Sequence, residues 1–181
     1  MTLISEVPFQ PVGGQPGFDP AQLERFVDRA RRRVAVLAYL RGDGRPHQVP
    51  IWYTYEAGTF WMSTVTGSPK HRALLKDPRV SLTIQDEAPP YRAVILEGVV
   101  ELSPLEHADD PTAGVAVRYF GRVAANEYDK LTAELYAASG LTLMALTPTA
   151  VRGFDNRKAL SKPVHSFVRL RERLPIPRTW L

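Results

Sequence analysis

Cysteine is absent from this 181-residue chain, which excludes disulfide bonds and thiolate chemistry and makes a cytosolic location the simplest expectation. Long apolar runs are also absent, so no membrane-spanning helix is expected. Residues 1–20 lack the basic start and apolar block of a signal peptide. The sequence contains no GxGxxG, GxSxG, HExxH or Walker motif. The sequence therefore gives no motif evidence for the enzyme classes that these motifs identify.

The charge balance gives little indication of a macromolecular partner. The net charge is +4, with 44% hydrophobic and 23% charged residues, which is ordinary for a globular protein. The densest basic run, Arg29 and Arg31 to Arg33, lies at the end of a predicted helix, where cations suit the helix dipole. A small anionic ligand explains the positive excess as well as nucleic acid does. We expect one domain spanning residues 1–181 and no nucleic-acid partner.

Apolar periodicity and turn residues predict a chain dominated by short strands. An extended arm, residues 1–18, precedes a helix from Pro20 to about Arg33, and an irregular tail, residues 159–181, closes the chain. The other predicted elements are strands at Val34–Leu40, Val49–Tyr55, Thr59–Thr64, Arg79–Gln85, Ala93–Leu102, Leu141–Leu146 and Ala150–Phe154, a helix at Ser68–Lys76, and two helices within Ser103–Gly140 that are broken near Gly121.

Gly98 interrupts the fifth predicted strand, and a glycine inside a strand often marks a bulge or the bend of a barrel. No internal repeat or domain linker is found. Six or seven short strands joined by hairpin turns, with one inserted helix and a helical return, are typical of a small antiparallel barrel. The sequence therefore predicts an α+β fold that is mainly β.

The segment Ser63–Arg72 combines hydroxyl groups, a helix start and cations. Ser68 is a good N-cap, and Pro69 suits the first helical position. A helix start already carries partial positive charge and unpaired N–H groups, so Lys70 and Arg72 add charge where an isolated helix disfavours it. A bound anion, most simply a phosphate, would remove this conflict. An ordinary surface helix with poorly placed charges is the alternative.

The strand residues Pro50–Tyr53 present large side chains on both faces. They form either a barrel strand with one core face and one dimer face, or a wall against a flat aromatic ligand that Trp61 and Met62 extend. Tyr91 and Arg92 either reach the edge of such a ligand or close a hairpin. The four histidines show no metal-ligand spacing, so no metal site is predicted, and no side chain is identified as catalytic.

Several segments together resemble a known family in their order and spacing. They are PHQVPIWY at 46–53, KHRALLK at 70–76, DPRVSL at 77–82, Tyr91-Arg92 and Glu97-Gly98. This pattern resembles the pyridoxamine 5′-phosphate oxidase-like split-barrel flavoproteins and covers about residues 34–155. The resemblance implies a homodimer of six-stranded split β-barrels with flanking helices. It also implies that FMN, or the deazaflavin F420, is bound in a cleft between the subunits.

The resemblance further implies which residues contact the cofactor. Lys70 is expected at the phosphate, with nearby hydroxyls and, less directly, Arg72. The strand around Pro50 is expected along the isoalloxazine ring, and Gln85 is expected to make a polar contact. The complete expected set is Val49, Pro50, Ile51, Trp52, Ser63, Thr64, Ser68, Lys70, Arg72 and Gln85.

Two features of the pyridoxamine-phosphate oxidases themselves are missing, namely their Arg-x-x-x-x-Lys pattern and their C-terminal substrate-binding residues. Oxidation of vitamin B6 is therefore not expected. The leading hypothesis is an FMN- or F420-dependent oxidoreductase that transfers hydride to or from a small organic substrate. FMN is slightly preferred because the loop Gly67–Pro69 is tight. Residues 103–140 and the tail beyond 158 are expected to determine substrate specificity.

A second hypothesis is a non-enzymatic binder or carrier of flavin, haem or another tetrapyrrole. His47 or His165 would then be a candidate axial ligand of haem. A nucleic-acid-binding barrel is a third hypothesis, but the aromatic and basic surface that single-strand binding needs is not organised in this sequence.

Overall fold

Nine strands and five α-helices make up the part of the protein that a computed structural model describes, residues 3–28, 33–106 and 110–171. The strands are β1 Phe9–Pro11, β2 Ala35–Leu40, β3 Pro46–Ile51, β4 Thr54–Glu56, β5 Thr59–Val65, β6 Arg79–Gln85, β7 Arg92–Pro104, β8 Leu141–Leu146 and β9 Ala150–Asp155. The helices are α1 Pro20–Val27, α2 Pro69–Lys76, α3 Val115–Phe120, α4 Arg122–Ser139 and α5 Lys162–Arg171. The α+β class with a mainly antiparallel sheet is confirmed.

The sheet runs in the order β3-β2-β6-β7-β8-β5-β4, and β9 pairs with β7 and β1. Strands β3 and β4 lie at opposite ends of this order, so the sheet is not closed, which agrees with the predicted split barrel. Large side chains from several strands fill its interior and are almost fully buried. They include Leu37, Tyr53, Phe60, Met62, Leu82, Ile84, Leu96 and Met144.

The long strand β7 joins the two halves of the sheet. Its first part pairs with β9 up to Glu97, and its last part pairs with β8 from Val100 onward. Gly98 lies between these two pairings, and a Cβ at this position would stand 2.9 Å from Leu146 Cδ1 and 3.1 Å from the carbonyl oxygen of Thr147. The glycine predicted to mark a bend therefore lies where the strand changes partner and where a side chain would require neighbouring atoms to shift.

The predicted strand Val49–Tyr55 is wrong in one respect. The chain leaves β3 after Ile51 and begins β4 at Thr54, and these two strands lie at opposite ends of the sheet. Trp52 and Tyr53 form the connection between them. A continuous run of large side chains cannot distinguish one strand from two strands joined by a crossing.

The predicted extended arm is also wrong in part. A 3₁₀ turn at Ile4–Glu6 places Ile4 in the core, and β1 adds a parallel strand beside β9. The arm is held because Ile4 is fully buried and Val7 and Phe9 pack against the core, although its composition resembles that of a free terminus.

Two further predictions differ from the structure at element ends. Helix α1 begins at Pro20, with Asp19 as its N-cap, but ends at Val27 rather than near Arg33. Residues 29–32 of the predicted basic run lie outside the described residues. The tail after Lys158 is not irregular throughout, because Lys162–Arg171 forms α5, and residues 172–181 lie outside the described part. In the described ranges no helix is both long enough and apolar enough to cross a membrane.

An ion-pair network of low exposure connects α1 to the start of β7. Asp86 accepts hydrogen bonds from Arg33 Nε at 2.8 Å and from Arg92 Nε at 2.6 Å. Both guanidinium groups lie over the ring of Phe26, with centroid distances of 4.0 and 4.7 Å. Arg33 also donates to the carbonyl oxygen of Phe26 at 2.8 Å. The Asp86 carboxylate therefore bridges two cations that are packed on one aromatic ring.

Candidate functional site

A cavity of about 370 Å³ opens where the end of β3, the end of β5 and the start of α2 meet. Helices α3 and α4 form its other side. It is lined by Val34, Pro50, Ile51, Trp52, Ser63, Thr64, Val65, Lys70, Thr112, Val115, Tyr128, Tyr136 and Leu141. Six of the ten expected cofactor-binding residues are thus brought together in one place.

One end of the cavity is formed by the first turn of α2. Ser68 is the N-cap, and its hydroxyl accepts a hydrogen bond from the His71 N–H at 3.2 Å. The same hydroxyl lies 3.2 Å from the Thr64 hydroxyl, which ties the end of β5 to the start of the helix. Lys70 occupies the second helical position, where backbone N–H groups lack an intrahelical acceptor. This end of the cavity therefore combines an ammonium group with a helix N-terminus.

Lys70 has no neutralising partner among the described residues, since none of their carboxylates lies within ion-pair distance of its ammonium group. Its side chain is half-buried, and this burial lowers its pKa from the ordinary value. A partly buried cation at a helix N-terminus is costly without a counter-charge. The geometry therefore fits an anion, and a phosphate group in particular.

An aromatic cluster around Trp52 forms another part of the cavity wall. The Trp52 ring stacks on Tyr119 of α3 with a centroid distance of 5.2 Å and an interplanar angle of 11°. Phe120 and Tyr128 contact the same indole at 4.9 and 5.2 Å. Helix α3 is also anchored by hydrogen bonds, because Arg118 donates to the Tyr53 carbonyl at 2.8 Å. The β3–β4 connection is thus packed against helices α3 and α4, which together form the helical insert between β7 and β8.

Two tyrosines of α4 add hydroxyl groups to this wall. The hydroxyl oxygens of Tyr128 and Tyr136 lie 2.8 Å apart, and both residues line the cavity. Burial, together with the hydrogen bond to Tyr136, raises the pKa of Tyr128 to about 12. The Tyr128 hydroxyl therefore stays protonated at neutral pH and can donate a hydrogen bond to a ligand.

Four expected residues do not line the cavity. Val49 is half-buried in β3 and packs against the core, and Ser68 acts through its capping contacts. Arg72 donates to the carbonyl oxygen of Gly67 and faces a different cavity. Gln85 is exposed at the end of β6, where it lines a different pocket together with Tyr91 and Arg92.

The proposed extension of the aromatic wall and the proposed haem ligands also lie elsewhere. Met62 is fully buried in the core, and Trp61 is half-buried opposite Thr54 without lining the cavity. His47 is exposed in β3 and meets the Tyr39 ring edge-on at 5.4 Å. His165 belongs to α5. The cavity wall thus contains no histidine among the described residues.

Sequence reasoning missed the cavity residues on the helical side, chiefly Thr112, Val115, Tyr128 and Tyr136. The spacing of the two tyrosines was the available signal, because residues eight apart share one face of a helix. Sequence alone could not indicate that this face of α4 turns towards β3. It predicted that residues 103–140 determine substrate specificity, without naming a side chain.

Comparison with known proteins supplies a family and a fold. The sequence profile of the family described as pyridoxamine 5′-phosphate oxidase matches residues 20–155. A conserved hypothetical protein from Mycobacterium tuberculosis is 26% identical over 82% of this chain and 92% of its own, with a TM-score of 0.61. No curated protein is significantly similar in sequence.

Two further solved structures share the fold. An F420 reductase is 25% identical over 71% of this chain and 94% of its own, with a TM-score of 0.54. A FAD-binding protein from Mesorhizobium loti is 18% identical over 75% of this chain and 92% of its own, with a TM-score of 0.50. The match to the latter concerns the fold alone.

Proposed function

The chain belongs to the pyridoxamine 5′-phosphate oxidase family, and we propose that the protein is an oxidoreductase that uses FMN or F420. One observation carries this proposal. A single cavity combines an ammonium group that no described carboxylate neutralises, the hydroxyl-rich start of a helix, and an aromatic and apolar wall. These are the requirements of a ligand that has a phosphate at one end and a flat ring system at the other.

The phosphate would lie at the first turn of α2. Lys70 would contact it as a point charge, while the Ser63 and Thr64 side chains would supply hydroxyl groups. Ser68 would act indirectly, because its hydroxyl caps the helix and holds Thr64. Arg72 would contribute only long-range attraction, since it faces away from this cavity.

The ring system would lie along the end of β3, where Pro50, Ile51 and Trp52 line the cavity. Trp52 is fixed by its aromatic neighbours, so the wall is formed before a ligand arrives. A bound flavin or F420 would supply the hydride chemistry. The protein would orient the ring, exclude water with the helical insert, and offer the Tyr128 and Tyr136 hydroxyls to a ring or substrate oxygen.

The choice between FMN and F420 rests on two opposing arguments. The tight loop Gly67–Pro69 suits a ligand that ends at its phosphate, as FMN does. The similarity to an F420 reductase, at 25% identity, supports F420. Both cofactors share the phosphate and the tricyclic ring, so the proposed contacts of Lys70 and Trp52 are the same for either one.

We also propose that the protein works as a homodimer. Strand β3 is an edge of the open sheet, and Pro46, His47, Gln48 and Pro50 are exposed along it. This strand runs directly into the cavity, so a second copy placed against it would cover the bound ring. Light scattering should then give twice the 20.2 kDa mass of one chain, and a monomer at micromolar concentration would contradict this proposal.

Oxidoreductase activity can be separated from simple cofactor storage. We expect the chemically reduced cofactor, bound to the protein without oxygen, to be reoxidised by added quinones or enones faster than the same cofactor free in solution. The absorbance of the cofactor reports the rate. If the bound cofactor reacts with every added quinone and enone no faster than the free cofactor does, the protein is better explained as a cofactor carrier.

A further inference from the structure

A second cavity, of about 390 Å³, lies between the β2–β3 hairpin and α2. The hairpin contributes Tyr39, Arg41, Gly42 and His47, and the helix contributes Pro69, Arg72, Ala73 and Lys76. Three of these eight residues are cationic at neutral pH, and none carries a carboxylate. Neither the fold nor the proposed cofactor phosphate site accounts for this concentration of charge.

The cations of this cavity are weakly neutralised. Lys76 makes no ion pair with any described carboxylate, and its ammonium group reaches over the turn at Gly42, 3.8 Å from where a Cβ of that residue would stand. Arg72 donates one N–H to the Gly67 carbonyl oxygen, and the other N–H groups of its guanidinium remain available to a ligand. Arg41 approaches Asp43 only at 3.7 Å, and that carboxylate is bound more closely by Arg45 at 2.7 Å.

The second cavity is separate from the first one although both touch α2. Arg72 and Lys76 are four residues apart and therefore lie on one face of the helix. Lys70 lies on a different face, because it is displaced by two residues from Arg72, or about 200° around the axis. The two cavities approach each other only at the first turn, where Pro69 lines one and Lys70 lines the other.

We propose that this second cavity is an anion-binding site for carboxylate or phosphate groups, distinct from the cofactor phosphate site. Arg72 and Lys76 supply the charge-assisted hydrogen bonds, and Arg41 closes the hairpin side. Tyr39, a buried residue of β2, also lines this cavity and contacts the exposed His47 ring edge-on. The volume suits an anion of several carboxylates rather than a single small ion.

The probe for this site is citrate, titrated into the protein at low salt and followed by calorimetry. We expect saturable binding of one citrate per chain, weakened about tenfold or more in Arg72→Gln/Lys76→Gln. The control Arg25→Gln/Lys130→Gln removes two exposed cations that line neither cavity, and it should bind citrate as the wild type does. Lys70→Gln should also leave citrate binding unchanged.

Three results would overturn the proposal: no saturable binding to the wild type, equal weakening in both double variants, or a loss confined to Lys70→Gln. If Arg72→Gln/Lys76→Gln does not fold, Lys76→Gln alone serves, because Lys76 makes no hydrogen bond to the described residues. None of these titrations needs a bound cofactor, so the test is independent of the proposed function.

The anion has two possible sources, which a second titration distinguishes. F420 carries an acidic tail beyond its phosphate, whereas FMN ends there. Competition between F420 and citrate, with no competition from FMN, would identify the cofactor tail as the occupant. Simultaneous binding of citrate with either cofactor would identify a separate anionic molecule.

Discussion

Replacing Lys70 by alanine should weaken FMN or F420 binding by about 10- to 150-fold. This range corresponds to the ~1.5–3 kcal/mol of a hydrogen bond to a charged group. The effect is expected to be large because Lys70 is half-buried and no described carboxylate competes for it. Titration of the stripped protein, followed by quenching of cofactor fluorescence, measures the affinity.

Lys130→Ala is the matched control for this experiment. Lys130 is an exposed lysine of α4 that pairs with Glu127 and does not line the cavity. It should leave cofactor affinity within about twofold of the wild type, since exposed ion pairs contribute little. Equal affinities of Lys70→Ala and the wild type would show that the phosphate lies elsewhere.

Replacing Asp86 by alanine should lower the free energy of unfolding by about 3–5 kcal/mol, a large share of the ~5–15 kcal/mol typical of a domain. Arg33 and Arg92 are only 7% and 9% exposed, and both depend on this carboxylate. Its removal leaves Arg33 without its carboxylate partner and leaves Arg92 only the more distant attraction of Asp155, while both guanidinium groups stay packed against Phe26. Urea unfolding at neutral pH, with the slope fitted independently, measures the change.

Glu127→Ala serves as the control for a carboxylate whose partner is exposed. Glu127 and Lys130 are 65% and 73% exposed, so the loss of this pair should cost at most about 1 kcal/mol. If Asp86→Ala were no more destabilising than Glu127→Ala, the network would not hold α1 against the sheet.

Much of the barrel was predictable because local signals agreed with the tertiary fold. Strands β6 and β8 were predicted at their observed bounds, because runs of apolar residues between turn residues marked where each strand begins and ends. Helix α2 was predicted from its Ser68 cap and Pro69, and Gly121 separates α3 from α4 as expected. In these segments propensity, pattern and packing point the same way.

The remaining features depend on contacts distant in sequence. No local pattern shows that the chain crosses the sheet after Ile51, or that β1 pairs in parallel with β9. Arg72 lines the second cavity rather than the first one, because two residues along a helix turn a side chain to another face. The Tyr128 face of α4 became part of the site only through packing against Trp52.

The most direct test of this account is titration of stripped protein with FMN and, separately, with F420, followed by absorbance and fluorescence. We predict saturable binding of one of them, with one cofactor per chain and quenching of tryptophan fluorescence that is reduced in Trp52→Phe. Binding of neither cofactor, in protein shown to be folded, would leave the barrel fold intact and contradict the proposed oxidoreductase function.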